Sequence, residues 1–224
     1  MKTNYCFGKK RKSKLITIIL LIVFLTSCTE TKIELASINY PIKNILLLED
    51  NDFEVDNSRY DTEIVTYKIK DMNSYQFFGE NFDGEITSNS AEYSGKNFLQ
   101  FMGDKEEING FQIHVYTQSE SQKLLKTLLK NLGKPSFEDD KGFEKYLVWE
   151  NSDKIYILNQ GFEAVIQNKK TIESDLLCLK TSKLIDVAIG ATSNTKYADY
   201  LEYRLKNKKN VKIYPFTKYI EEVN

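Results

Sequence analysis

Leu124, Leu125, Leu128, Leu129 and Leu132 recur at three- and four-residue intervals, so they fall on one stripe of a helix. Each leucine contributes about 2 kcal/mol when fully buried, and a stripe of them must therefore lie across a broad apolar surface, which a sheet supplies. Ser119 and Gln122 match a capping box at the start, and Gly133 with Pro135 closes the end, which predicts a helix over 119–132. Its opposite side carries Lys123, Lys126, Lys130 and, just beyond, Lys134. That basic face is either solvated or a dock for an acidic partner or anionic lipid headgroups.

The strands for this helix to cover are written as period-two alternation. Val65, Tyr67 and Ile69 share one face, while Ile64, Thr66 and Lys68 share the other. Further strands are predicted over 44–48, 75–78, 85–88 and 97–102. Asn109-Gly110 reads as a turn, followed by alternating Phe111, Ile113 and Val115. The stretches 145–150 and 154–158, joined by Asn151-Ser152-Asp153, form a hairpin, and Glu138-Asp139-Asp140 ahead of them reads as an acidic loop. Strands over 162–167, 176–180 and 184–189 follow. A second helix over 195–207 carries Tyr197, Ala198, Leu201 and Leu205, and a last strand runs over 211–216 around Pro215. The predicted class is α+β, an antiparallel sheet meander with about two packed helices. The stretches 111–158 and 184–216 both read strand, helix, strand, as a degenerate repeat would.

The amino terminus follows a different rule. Lys2, Lys9, Lys10, Arg11, Lys12 and Lys14 precede an apolar run from Leu15 to Leu25, and the first acidic residue is Glu30. That run covers about 17 Å as a helix, against about 30 Å of bilayer hydrocarbon, so it suits a cleaved export signal better than a permanent span. It closes on Leu25-Thr26-Ser27-Cys28, which resembles the lipobox of bacterial lipoproteins: Leu, a small residue, then Gly, Ala or Ser, then Cys. The resemblance implies cleavage between Ser27 and Cys28, a diacylglycerol on the Cys28 thiol and acylation of the new amino group. Such an anchor would hold the mature domain on a membrane of the bacterial envelope, outside the cytoplasm. The expected organisation is a signal over 1–27, a tether over 28–41 ending at Pro41, and one α+β domain, or two small lobes, over 42–224.

Without the signal, 25 basic residues face 32 acidic ones, a net charge of −7. This balance argues against nucleic acid as a partner, because binding would need a cationic face. Cys6 lies in the signal and Cys28 in the lipobox, so Cys178 has no partner for a disulfide; among Leu176, Leu177 and Leu179 it reads as a small buried apolar residue. His114 is the one histidine, on the polar side of its strand. No catalytic motif is visible, and neither an enzyme nor a cofactor is expected. Asp50, Asp52 and Glu54 occupy positions 1, 3 and 5 of an EF-hand-like loop, yet Val55 stands where Gly is needed and Asp61 where Glu is needed, so a solvated acidic edge is the better reading. Trp149 suits either the core or a ligand platform. Two functions follow: an envelope lipoprotein whose non-catalytic domain binds another protein, as an inhibitor, immunity or assembly factor, or a ligand- or glycan-binding surface lipoprotein using Trp149 and some of the 14 tyrosines. An enzyme without a recognisable motif comes third.

Overall fold

In the computed structural model, which describes residues 32–49, 51–56, 64–86, 95–151, 153–166, 169–212 and 214–223, the alternating stretches pair into one antiparallel sheet. The strands are β1 (Ile33–Glu34), β2 (Ile42–Lys43), β3 (Phe53–Asp56), β4 (Val65–Ile69), β5 (Tyr75–Gln76), β6 (Glu85–Ile86), β7 (Gly95–Lys96), β8 (Phe98–Gly103), β9 (Glu107–Val115), β10 (Phe137–Asp140), β11 (Lys145–Glu150), β12 (Lys154–Ile166) and β13 (Lys169–Lys180). Across the main sheet the order is β10-β11-β12-β13-β9-β8-β4-β3, with β2 also on β9. The helices are α1 (Ile45–Leu48), α2 (Gln118–Leu132), α3 (Ile185–Ala191), α4 (Lys196–Lys206) and α5 (Phe216–Val223). The fold is α+β, with more helix than the two segments expected. Among the described residues no helix is long and apolar enough to cross a membrane.

Both faces of the sheet are covered, because successive side chains point to opposite sides and both sets are apolar over the central strands. Leu99, Phe101, Phe111, Ile113, Leu158, Leu176 and Cys178 form one core with Leu124 and Leu128 of α2. Met102, Val148, Ile155, Ile157 and Leu179 form the other with Val187, Ala188, Tyr197, Tyr200 and Leu201 of α3 and α4.

Several local expectations are corrected. The cap of α2 is Thr117, two residues ahead of Ser119; its extended backbone lets Oγ1 accept the Glu120 N–H at 3.2 Å. Leu124 and Leu128 are fully buried, whereas Leu129 is 43% exposed and Ser121 and Thr127 are buried in its stead. The buried stripe is thus rotated from the leucine stripe. Asn109-Gly110 lies inside β9, and the glycine serves close strand approach instead of a turn: a Cβ there would stand 2.6 Å from the Cys178 carbonyl oxygen. The β8–β9 turn is made by Asp104, whose carboxylate accepts the N–H groups of Glu106 and Glu107, both at 2.8 Å.

The acidic run 138–140 is not a loop but edge strand β10, steadied by Lys145 against Glu138 at 2.6 Å. The strand expected over 162–167 is the far part of β12, which continues past an irregularity between Gln160 and Glu163. Residues 44–48 and 184–189, read as strands, fall largely in α1 and α3. An apolar run without period two does not separate strand from helix, and Leu184, Val187 and Ala188 are buried at helical spacing. Pro215 ends no strand. It stands just ahead of α5, where a helix needs no N–H from it. The supposed repeat disappears with these strands.

The folded unit begins at Lys32, inside the stretch 28–41 expected to precede the domain. Strand β1 pairs in parallel with β5, and Leu35, Ile38 and Tyr40 are buried. Lys154 donates to the Ala36 carbonyl at 3.0 Å, and Lys180 to that of Tyr40. Glu34 accepts the N–H groups of Phe78 and Gly79, both at 2.8 Å. A segment held by this many backbone contacts belongs to the domain.

Candidate functional site

The residues singled out by sequence do not converge. Ser27, Cys28 and Asp50 lie outside the described residues. Asp52 and Glu54 are exposed, and Glu54 stands on β3 opposite Lys68 of β4. An extended strand spaces alternate residues about 6.6 Å apart, whereas an EF-hand loop curls them onto one ion. Among the described residues no three of His, Cys, Asp and Glu come together as a metal site would need.

Trp149 is 4% exposed, and its Nε1–H donates to the Gly133 carbonyl at 2.8 Å. It ties β11 to the end of α2 and offers no free face, which corrects its reading as a ligand platform. Cys178 is wholly buried, and burial pushes its pKa up to about 12 despite the opposing pull of Lys154 and Tyr156. A thiol so held carries almost no thiolate at neutral pH.

Two polar clusters, one half-buried and one buried, have no local signature in the sequence. In the first, His114 Nδ1 lies 2.7 Å from Asp175 Oδ1, and Gln112 Nε2 donates to the same oxygen at 2.5 Å. Strand register makes this site, since His114 on β9 stands opposite Asp175 on β13. Phe98 stacks on the imidazole at 5.0 Å, and Tyr116 meets it edge-on at 4.2 Å. His114 Nε2 is buried without a hydrogen-bond partner among the described residues. A histidine oriented by a carboxylate is half of a nucleophile–base arrangement. Cys178 is three places along its strand from Asp175, hence on the other face of the sheet, so this thiol and this imidazole do not meet.

In the second cluster, Arg204 Nη1 donates to Glu150 Oε1 at 2.5 Å, and the Tyr197 hydroxyl donates to Glu150 Oε2 at 2.6 Å. Arg204 also reaches the Tyr200 hydroxyl at 3.1 Å, which in turn donates to the Tyr214 carbonyl at 2.9 Å. The two charged side chains are 6% and 2% exposed. Burial pulls the guanidinium pKa down, and the Glu150 hydrogen bond and charge more than offset this, so it stands above its ordinary value. Burial, with the charge of Glu150 added, pushes Tyr200 up to about 12. Tyr197, Phe137, Phe216 and Tyr219 pack around the pair, beside a groove of about 300 Å³ bordered by Ser136, Pro215 and Thr217. The arrangement is a clamp between β11 and α4. Both oxygens of Glu150 are engaged inside the fold.

What the molecule offers outward is surface. Ile45 and Leu46 on α1 are 53% and 64% exposed, and Val55 on β3 is 55% exposed. Among the described residues no strand pairs with the outer edge of β3. On α2, Lys123, Lys126 and Lys130 line a groove of about 450 Å³ with Glu80. Lys123 is held there by Glu120 at 3.2 Å and by the Asn81 carbonyl. No protein-family model, curated protein or solved structure matches the chain in any of the three comparisons.

Proposed function

We propose that the protein is a membrane-anchored envelope lipoprotein whose α+β domain binds another protein without catalysing a reaction. The observation that carries this reading is Leu25-Thr26-Ser27-Cys28 behind a basic and then apolar leader. The burial of Cys178 and of the Glu150–Arg204 pair supports it, since these groups serve the interior, and His114 is engaged by Asp175. So does the edge of β3, which no described strand pairs, with exposed Phe53 and Val55, because strand addition to such an edge is a common way to take up a peptide segment. The glycan reading loses its chief support with Trp149 buried.

Two measurements test the proposal. Intact mass of the protein purified from cells should show acyl chains on Cys28, and Cys28→Ala should abolish them; lipid still attached to the variant would sink the anchor. A photo-crosslinker at Val55 should capture one species in stoichiometric yield from intact cells, while one at exposed Lys209 should not. A similar spread of bystanders at both positions would remove the binding role.

A further inference from the structure

The corrected start of the fold bears on how the domain meets its membrane. Only Thr29 to Lys32 lie between Cys28 and the first strand, a reach of about 14 Å at full extension. Lys32 enters beside the basic groove of α2: its ammonium donates to Asn81 Oδ1 at 2.9 Å, and the Asn81 carbonyl accepts from Lys123. One asparagine therefore joins the end of the tether to the first lysine of the groove. Lys126, Lys130 and Lys134 continue the same side of α2 and are exposed. None of these three makes an ion pair with a described residue. On a mature chain of net charge −7, cations without an ion pair among the described residues, on a groove that Asn81 joins to Lys32, are the part of the surface that an anionic bilayer attracts.

We propose that the Lys123, Lys126 and Lys130 face of α2 lies against the anionic phospholipid headgroups of the membrane that holds Cys28. This rests on the lipoprotein reading above. The groove, whose lining also includes Glu80, takes phosphate oxygens of neighbouring lipids through its lysines. The anchor supplies the affinity and the lysines supply the orientation. Each lysine at an anionic surface is worth about five-fold in partition, and the effect is lost beyond a Debye length of about 10 Å in 0.1 M salt.

The test uses the processed, acylated protein reconstituted into vesicles of phosphatidylcholine alone or with three-tenths phosphatidylglycerol. A membrane-impermeant amine reagent labels the lysines, and mass spectrometry quantifies each site. Labelling of Lys126 and Lys130 should fall about five-fold or more on the anionic vesicles and return in high salt, with Lys208 and Lys209 unchanged. In Lys126→Glu/Lys130→Glu, labelling of Lys123 should no longer depend on vesicle charge. Equal labelling on both vesicles, or protection only after a second protein is added, overturns the proposal. The intact mass of the same sample reports Cys28 acylation separately. Should Cys28 carry no lipid, the anchor reading fails by itself, and co-sedimentation of the unacylated protein with the two vesicles still decides the face: binding to anionic vesicles that the double variant abolishes upholds it, and no binding refutes it.

Discussion

The two faces of the sheet are closed by different physics. On one, α2 and the segment from Ile33 to Tyr40 seal an apolar core around Phe101, Phe111, Leu124 and Leu128. On the other, α3, α4 and α5 close over apolar strand residues, but their seat is locked by an ion pair, Glu150 with Arg204, inside a cage of tyrosine and phenylalanine rings. The first closure is additive and tolerant, because dispersion and burial sum over many small contacts. The second is all-or-none: a buried charge with its partner is nearly neutral in net stability, and a buried charge without one is costly.

That difference sets the expected ranking of substitutions. Glu150→Ala leaves the Arg204 charge buried alone and should destabilise by about 3–5 kcal/mol, read from the urea midpoint. Replacing both residues with methionine should recover most of the loss; a double variant as unstable as the single one would show that the pair is not the locking element. Next comes Leu128→Ala, expected to lose about 3 kcal/mol through cavity formation, whereas Leu129→Ala should stay within about 0.5 kcal/mol. Equal effects at the two leucines would break the assignment of the buried stripe. Thr117→Ala should lower stability by about 1 kcal/mol and Ser119→Ala by much less, which separates the observed cap from the one the capping-box pattern suggests. The smallest effect belongs to the rim. Hydrogen bonds from the Glu106 and Glu107 N–H groups hold the Asp104 carboxyl below its ordinary pKa. Its contribution is therefore present above about pH 4, the unfolded value, and lost as pH falls through the folded one. An acid melting series should show that component in the natural protein and not in Asp104→Asn.

The parts legible in the sequence were those that local chemistry decides. Val65, Tyr67 and Ile69 alternate because one side of β4 is core, and Thr195 with Asn207 brackets α4 because caps are local. The failures have a common cause. Asn109-Gly110 carries the composition of a turn, but the glycine answers to a neighbouring strand that sequence does not reveal. Residues 44–48 and 184–189 are apolar apart from Asn44 and Asp186, and so carry no alternation to read. Asp175 and Glu150 meet His114 and Arg204 only through register and helix placement, from 61 and 54 residues away, and no spacing rule reaches that far. Lys123, Lys126 and Lys130 could be read as a basic face; that the face adjoins Lys32 depends on Asn81.

The seam between β9 and β13 carries a consequence for time as well as shape. Hairpins such as β8–β9 and β11–β12 close in about 1–10 μs, whereas the seam joins segments separated by α2 and three strands and belongs to the slow, long-range class of contacts. Synthesis runs from the amino terminus, so β9 is made well before the strand that will flank it. Until Lys180 has emerged, Gly110 to Val115 present an open strand edge carrying Phe111, Ile113 and Val115, and the nascent chain must be kept from foreign strands until β13 arrives to fill the gap.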